Sequence, residues 1–207
     1  MKNKFKFNFK DQEVFLSTKH VLLIILTEKL AKYSEWYSWL NDQKTTQFTK
    51  QGLFPNSRLD QIKYFKNTLV NPKSTNKLKK YGKRLQLGIV CNDTKKFIGV
   101  ISLFRIDFHE RSCSLSMLLN QKKKNYSLSL VKDAQQLMID HAFLRLNIRR
   151  IYVQTYSKAL SDLTQKVWGF KKEGVLREKE FLNGKYHDSY ALGLLKREWE
   201  AFRKIKS

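Results

Sequence analysis

Three short strand-like segments follow one another with only polar turns between them, and one long amphipathic stretch comes directly after. The segments are residues 85–91, 97–104 and 112–119. Residues 92–95 form the first turn, and the second lies around Phe108 and Glu110. Segments this close fold back on one another as antiparallel neighbours. The stretch 126–146 then places Leu130, Ala134, Leu137, Met138, His141 and Ala142 on one helical face. A strand of branched and aromatic residues, 151–156, follows it. A sheet with helices packed on it is the consequence.

The flanking segments fit the same plan. Residues 21–26 are a continuous aliphatic run, as in a strand buried on both faces. Thr27 is placed to cap a helix carrying Leu30, Tyr33, Trp36, Tyr37 and Leu40, which Asn41 and Asp42 end. Residues 43–55 read as a loop. Asn56 or Ser57 caps a further helix with Leu59, Ile62, Phe65 and Leu69 on one face. A loop over 71–84 holds Lys73, Lys77, Lys79, Lys80, Lys83 and Arg84 and no acid. Residues 162–168 form a short helix stopped by Gly169. The runs 175–181 and 186–195 flank Asn183-Gly184, which calls for a type I′ hairpin. The alternation of Lys and Phe near the start makes 1–18 an arm or extra strand, and 19–207 is read as one α+β domain.

Composition narrows the partners. Apolar residues are 42% and aromatics 13%, enough to bury a core, so wholesale disorder is excluded. The net charge of +23 favours anionic partners: nucleic acid, phosphorylated cofactors or an acidic membrane surface. A Lys- and Asn-rich compositional bias accounts for the same charge equally well. The aliphatic run 21–26 falls far short of the roughly 20 residues of a membrane span, and no export signal is read, so a cytoplasmic protein is expected. Cys91 and Cys113 sit in strand-like runs, which points to a reducing compartment. Phosphate-loop, dinucleotide and nucleophile-elbow motifs are absent. His20, His109, His141 and His187 lie far apart and at no metal-ligand spacing, so no metal is expected.

The order of elements and several local stretches resemble the GNAT N-acetyltransferases over 19–199. The stretches are Ile98-Gly99-Val100-Ile101-Ser102-Leu103, Arg111-Ser112, Trp168-Gly169-Phe170 with Glu173-Gly174-Val175 and Arg177, and Asn183-Gly184-Lys185-Tyr186-His187-Asp188. Two more, Trp36-x-x-Trp39-Leu40-Asn41-Asp42 and Gln51-Gly52-Leu53-Phe54-Pro55-Asn56, resemble the branch that acetylates amino sugars on nucleotide carriers. Ribosomal-protein N-terminal acetyltransferases are the neighbouring branch.

The resemblance implies a mixed central sheet of about seven strands, flanked by helices, with a splayed strand pair at a cofactor cleft. It implies acetyl-CoA, its pyrophosphate held by backbone N–H groups where a turn enters the long helix. The residues implied at the cofactor are Leu118, Leu119, Ser127, Leu128, Ser129, Leu130, Val131 and Lys158. Trp36, Asn41, Gln51 and Phe54 are implied at the acceptor. Amine acetylation needs a deprotonated amine and a proton for the departing thiolate. Asp107 and Glu110 are the expected bases, and Tyr156 the expected acid.

The chain departs from the family pattern at several points. The family's loop glycines fall on Ser127, Ser129 and Val131; a common strand Glu falls on Ser114; the usual Asn falls on Lys158 and the usual Tyr acid on Gln165. The first reading is therefore an N-acetyltransferase acting on a small-molecule primary amine, foremost a nucleotide-linked amino sugar. The alternatives are a protein N-terminal acetyltransferase, and a catalytically degenerate GNAT-fold protein that binds RNA or another polyanion through the basic loop and Lys122, Lys123 and Lys124. Monomer and homodimer both remain open.

Overall fold

The computed structural model describes residues 8–47, 49, 52–70, 81–121 and 126–206. Residues 1–7, Gln51, the basic stretch 71–80 and Lys122, Lys123 and Lys124 lie outside the described residues.

The strands are β1 (Val14–Ser17), β2 (Val21–Ile25), β3 (Tyr81–Cys91), β4 (Lys96–Asp107), β5 (Ser112–Leu119), β6 (Arg150–Thr155), β7 (Lys171–Leu182) and β8 (Lys185–Leu195). They form an eight-stranded mixed sheet in the order β1-β2-β3-β4-β5-β6-β8-β7. The strand beyond the expected seven is β1, which pairs antiparallel with β2. β5 and β6 run parallel, with Ser112 opposite Arg150, as a strand–helix–strand crossover requires. The chain forms two compact units. One contains Met1–Lys79, Arg84–Leu103 and Met117–Met138, and the other Lys80–Lys83, Phe104–Ser116 and Ile139–Ser207.

In the first unit, Val21, Leu22, Leu23 and Ile24 are all buried, as the unbroken aliphatic run requires. Thr27 Oγ1 accepts the Leu30 N–H at 3.3 Å and starts α1 (Glu28–Tyr33). The helix expected to run on to Leu40 breaks at Ser34. The Ser34 hydroxyl donates to the Leu30 carbonyl at 2.6 Å and accepts the Trp36 N–H at 3.2 Å, so it replaces backbone partners of the next turn. A separate turn, α2 (Trp36–Trp39), follows. Asp42 does not simply end that helix. Its carboxylate accepts the Thr45 N–H at 2.9 Å and opens α3 (Gln43–Thr46) inside the expected loop. Ser57 and Asp60 form a reciprocal capping box at the head of α4 (Arg58–Tyr64), and the last turn widens over Phe65–Val70.

The core of this unit gathers around two indoles. Trp36 and Trp39 are each 2% exposed. The Phe97 ring lies 4.9 Å from Trp39 and 6.4 Å from Trp36. Truncating a buried indole costs about 3–5 kcal/mol, whereas losing one cap costs about 1 kcal/mol. Packing therefore holds this unit, and the caps set where helices begin. Gly99 on β4 is needed for close approach: a Cβ there would stand 2.5 Å from the Leu118 carbonyl oxygen of β5.

The long helix α5 (Leu128–Asp140) is shorter than expected and widens into a π turn over His141–Arg145. In the second unit, that turn delivers Ala142 and Phe143 to the interior, where the Phe143 ring meets Trp199 at 5.2 Å. α6 (Lys158–Trp168) starts a turn earlier than expected because Ser157 caps it, and Gly169 closes it with φ +77°. The Asn183-Gly184 turn has φ 51° and 77°, the paired left-handed geometry of type I′. The sequence reading assigned no element after residue 195, yet α7 (Lys196–Lys206) is there. Its Trp199 is 4% exposed, and Glu198 Oε2 accepts the Leu195 N–H at 3.1 Å to cap its start.

Candidate active site

In the first unit the cofactor residues expected from the sequence surround the head of α5. Leu118 and Leu119 end β5 with buried side chains. Asn120 follows, its N–H donating to the Ile98 carbonyl at 2.8 Å and its own carbonyl accepting the Tyr126 hydroxyl at 2.8 Å. The two ends of the loop are thus tied together. Ser127 caps α5: its Oγ accepts the Leu130 N–H at 3.3 Å, and its carbonyl accepts the Val131 N–H at 3.3 Å. Leu128 and Ser129, in the first turn, have N–H groups for which the helix provides no acceptor. Ser127 Oγ and Ser129 Oγ stand 3.0 Å apart, both exposed. Two backbone donors, two hydroxyls and the positive end of a 13-residue helix suit a pyrophosphate. Leu128 is 52% exposed, while Leu130 is buried and Val131 half-buried on the packed side of the helix.

This helix is pinned from its other side. Asp133 Oδ2 accepts the Thr18 hydroxyl at 2.7 Å and lies 2.8 Å from His20 Nδ1. Burial pushes the Asp133 carboxyl up, but the hydrogen bonds from His20 and Thr18 and the charges of His20 and Lys19 outweigh it, so its pKa falls below 3.8. A lowered folded-state value means that this carboxylate stabilises the fold above the ordinary Asp pKa and ceases to as pH falls through the lowered one. Thermal melts of the native protein and Asp133→Asn are expected to differ at pH 7 and to converge in acid below that window. A gap that stays constant down to pH 2 would show that the carboxylate's charge does not stabilise the fold.

Of the residues implied at the acceptor, Trp36 packs in the core and Asn41 clamps a loop. Trp36 lies in the core, edge-on to Tyr64 at 6.2 Å, and lines no open surface. Asn41 Nδ2 donates to the Asn56 carbonyl at 2.8 Å and Asn41 Oδ1 accepts the Asn56 N–H at 2.7 Å, a reciprocal clamp on the loop between them. Phe54 projects from that loop and is 82% exposed. Gln51 is outside the described residues.

In the second unit, the expected bases lie at the turn before β5. Asp107 Oδ1 accepts the N–H groups of His109 and Glu110, at 2.8 and 3.0 Å, so this carboxylate holds the turn before β5. Glu110 is exposed there beside His109. Lys158 is exposed on the first turn of α6 and donates to Asp162 at 3.3 Å. Gln165, at the family's Tyr position, donates to the Ser161 carbonyl of its own helix at 3.3 Å.

Tyr156 has neighbours that sequence reasoning missed. His187 of β8 lies with its ring 5.8 Å from the Tyr156 ring. Directly opposite His187 on β7 is Glu180, which is 9% exposed. Burial, and then the Glu180 charge, raise the Tyr156 pKa above 10.0, so the phenol keeps its proton at neutral pH. Glu180 follows an irregularity in β7. Leu176 faces Ser189 but Glu180 faces His187, and between them Glu178 takes φ 49° while its N–H donates to Asp188 Oδ1 at 3.0 Å. Extra residues in one strand re-aim the side chains that follow. The signal available in the sequence was a Glu three residues before an Asn-Gly turn, which pairs it with a residue just after the turn. The irregularity in β7 was not legible.

Among the described residues, no group of three or more His, Cys, Asp and Glu is placed to hold a metal ion. No helix among them is long and apolar enough to cross a membrane.

Comparison with known proteins identifies the fold. The model of the acetyltransferase (GNAT) domain matches residues 22–159. An uncharacterized N-acetyltransferase p20 of Bacillus licheniformis is 28% identical over 130 residues, 60% of this chain and 69% of that protein. Spermidine N(1)-acetyltransferase of Vibrio cholerae is 27% identical over 115 residues, 54% of this chain and 64% of that protein. Among solved structures, the ribosomal L7/L12 alpha-N-protein acetyltransferase RimL in complex with coenzyme A superimposes with a TM-score of 0.71 at 18% identity, covering 88% of this chain and 98% of that one. The microcin C7 self-immunity acetyltransferase MccE, in complex with acetyl-CoA and AMP, has a TM-score of 0.66 at 21% identity, with 86% and 93% covered. Because the domain match takes in well over half of the residues, the chain belongs to the GNAT acetyltransferases, which transfer acetyl from acetyl-CoA to an amine.

Proposed function

We propose that this enzyme acetylates a primary amine carried on an anionic molecule, with Glu180 as the base and Tyr156 as the acid. The observation that carries the reading is the placement of a buried carboxylate and a neutral phenol on either side of His187 in the second unit. Glu180 takes the proton that keeps an ammonium from attacking. Tyr156 gives one to the leaving sulfur. The head of α5, in the first unit, supplies the donors for the pyrophosphate.

The charge argues for the acceptor class. A chain of net charge +23 repels a polycation at long range and attracts an anion. That supports a phosphate-bearing acceptor over a polyamine, a nucleotide-linked amino sugar being one example. The amino-sugar reading rests on the Trp36 to Asp42 and Gln51 to Asn56 stretches, and Trp36 and Asn41 there have structural duties. A second reading, a protein N-terminus, is supported by the likeness in fold to the RimL structure. A thiol-release assay with acetyl-CoA over nucleotide-linked amino sugars, acidic N-terminal peptides and spermidine tests both. Turnover is expected with an anionic acceptor and to weaken as salt rises. Preference for spermidine would overturn the charge argument, and activity on peptides alone would select the second reading.

A further inference from the structure

The chemistry at Tyr156 and Glu180 leaves a proton to be moved. Acetylating an ammonium removes two protons from nitrogen, delivers one to the thiolate sulfur and releases one to water. If Glu180 accepts and Tyr156 donates, each turnover leaves Glu180 protonated and Tyr156 deprotonated. The next turnover needs both reversed.

His187 stands between the two. It is opposite Glu180 in the register of β7 and β8, where directly paired side chains share a face about 5 Å apart. Its ring also lies 5.8 Å from that of Tyr156, inclined by 39°. A phenol just past the end of β6 and an imidazole and a carboxylate on the paired strands β8 and β7 are thus neighbours. Imidazole is the side chain that takes a proton on one nitrogen and gives one from the other near neutral pH. Two charged neighbours along these strands are engaged elsewhere. Lys179 of β7 donates to Gln154 of β6 at 3.5 Å, and Asp188, next to His187 on β8, accepts the Glu178 N–H.

We infer that His187 is a positioning residue that returns the nitrogen's proton from Glu180 to Tyr156 in each turnover; this rests on the roles proposed above for those two. Glu180 takes the first proton from the ammonium. The C–N bond forms as the C–S bond breaks, Tyr156 protonates the sulfur, and the nitrogen's second proton goes to water. His187 then gives its proton to the Tyr156 phenolate and is refilled by Glu180. Atoms and charges balance with no further reactant.

The test replaces His187 with Phe, which keeps an aromatic ring beside Tyr156 but cannot carry a proton. The kcat for thiol release is expected to fall about 10- to 100-fold, toward the low end of what a proton-transferring group contributes. KM for acetyl-CoA is expected to stay unchanged, and the acid limb of the pH–rate profile to move. Free imidazole is expected to restore part of the rate to His187→Ala. Native kcat and pH profile in His187→Phe, or no recovery of His187→Ala with free imidazole, overturns the inference while leaving the acetyltransferase reading intact. An active native enzyme whose Glu180→Gln variant keeps full rate overturns the proposed base, and His187 then has no proton to carry.

Discussion

Glu180→Gln is expected to lower kcat for amine acetylation by about 100- to 10,000-fold, the range over which a positioned base contributes. Gln keeps the shape and hydrogen-bonding capacity of the side chain but cannot take a proton. Affinity for acetyl-CoA is expected to be unchanged, because the donors for the pyrophosphate are at the head of α5. The deficit is expected to shrink at high pH. An alkyl amine with a pKa near about 10.4 increasingly deprotonates itself there and no longer needs the base. Steady-state thiol release from pH 6 to pH 10 reads both effects. Asp107→Asn is the paired control. Its carboxylate caps a turn through two N–H groups, so that change is expected to lower the melting temperature and to spare kcat. The reverse result, a silent Glu180→Gln with an inactive Asp107→Asn, would return the base to the turn before β5.

Ser127→Glu is expected to abolish acetyl-CoA binding, which means at least about a 100-fold rise in Kd by calorimetry. The native hydroxyl both caps α5 and stands beside Ser129 Oγ in the anion cradle. A carboxylate about 4 Å from a phosphate oxygen is repelled by about 1 kcal/mol in water and about 4 kcal/mol at the dielectric of a protein surface. Each 1.4 kcal/mol is a factor of ten in affinity. Losing the cap costs about another 1 kcal/mol of helix stability. Ser127→Asp separates the two effects, since Asp is as good a cap as Ser. It is expected to restore the melting temperature and still to lose the cofactor. Ser127→Gly removes the hydroxyl without adding charge and allows closer backbone approach, so binding is expected to tighten or hold. Unchanged affinity in Ser127→Glu would place the pyrophosphate elsewhere.

Some of this was legible because its cause is local. The strand β5 occupies the segment read from alternation, the Asn183-Gly184 turn has the required dihedrals, and Gly169 ends α6 where a left-handed residue is needed. Thr27 and Ser57 cap the helices assigned to them. The errors arose where one side chain altered a regular pattern. Ser34 satisfies the Leu30 carbonyl and splits a helix whose apolar spacing runs on without a break. Asp42, read as a stop, is a start, because its carboxylate finds the Thr45 N–H. Helical spacing was also indifferent to whether Trp36 faces a ligand or the core, and the buried position 2% exposed decides for the core.

Apart from α3, α7 and the break at Ser34, the amino-acid sequence by itself determined which segments are strands and which are helices, how the last hairpin turns, and the family to which the chain belongs. Each of these follows from residues a few positions apart. Only the tertiary structure decided which carboxylate is removed from water. Asp107 and Glu110 precede the expected strand and look well placed in a linear reading, but both stay at an exposed turn. Glu180 is distant from Tyr156 along the chain. The pairing of β8 with β7, together with an irregular stretch of β7 held by Asp188, sets it opposite His187, whose ring lies beside that of Tyr156. Burial and the proximity of charges are properties of the assembled sheet, and they are what raise the Tyr156 pKa.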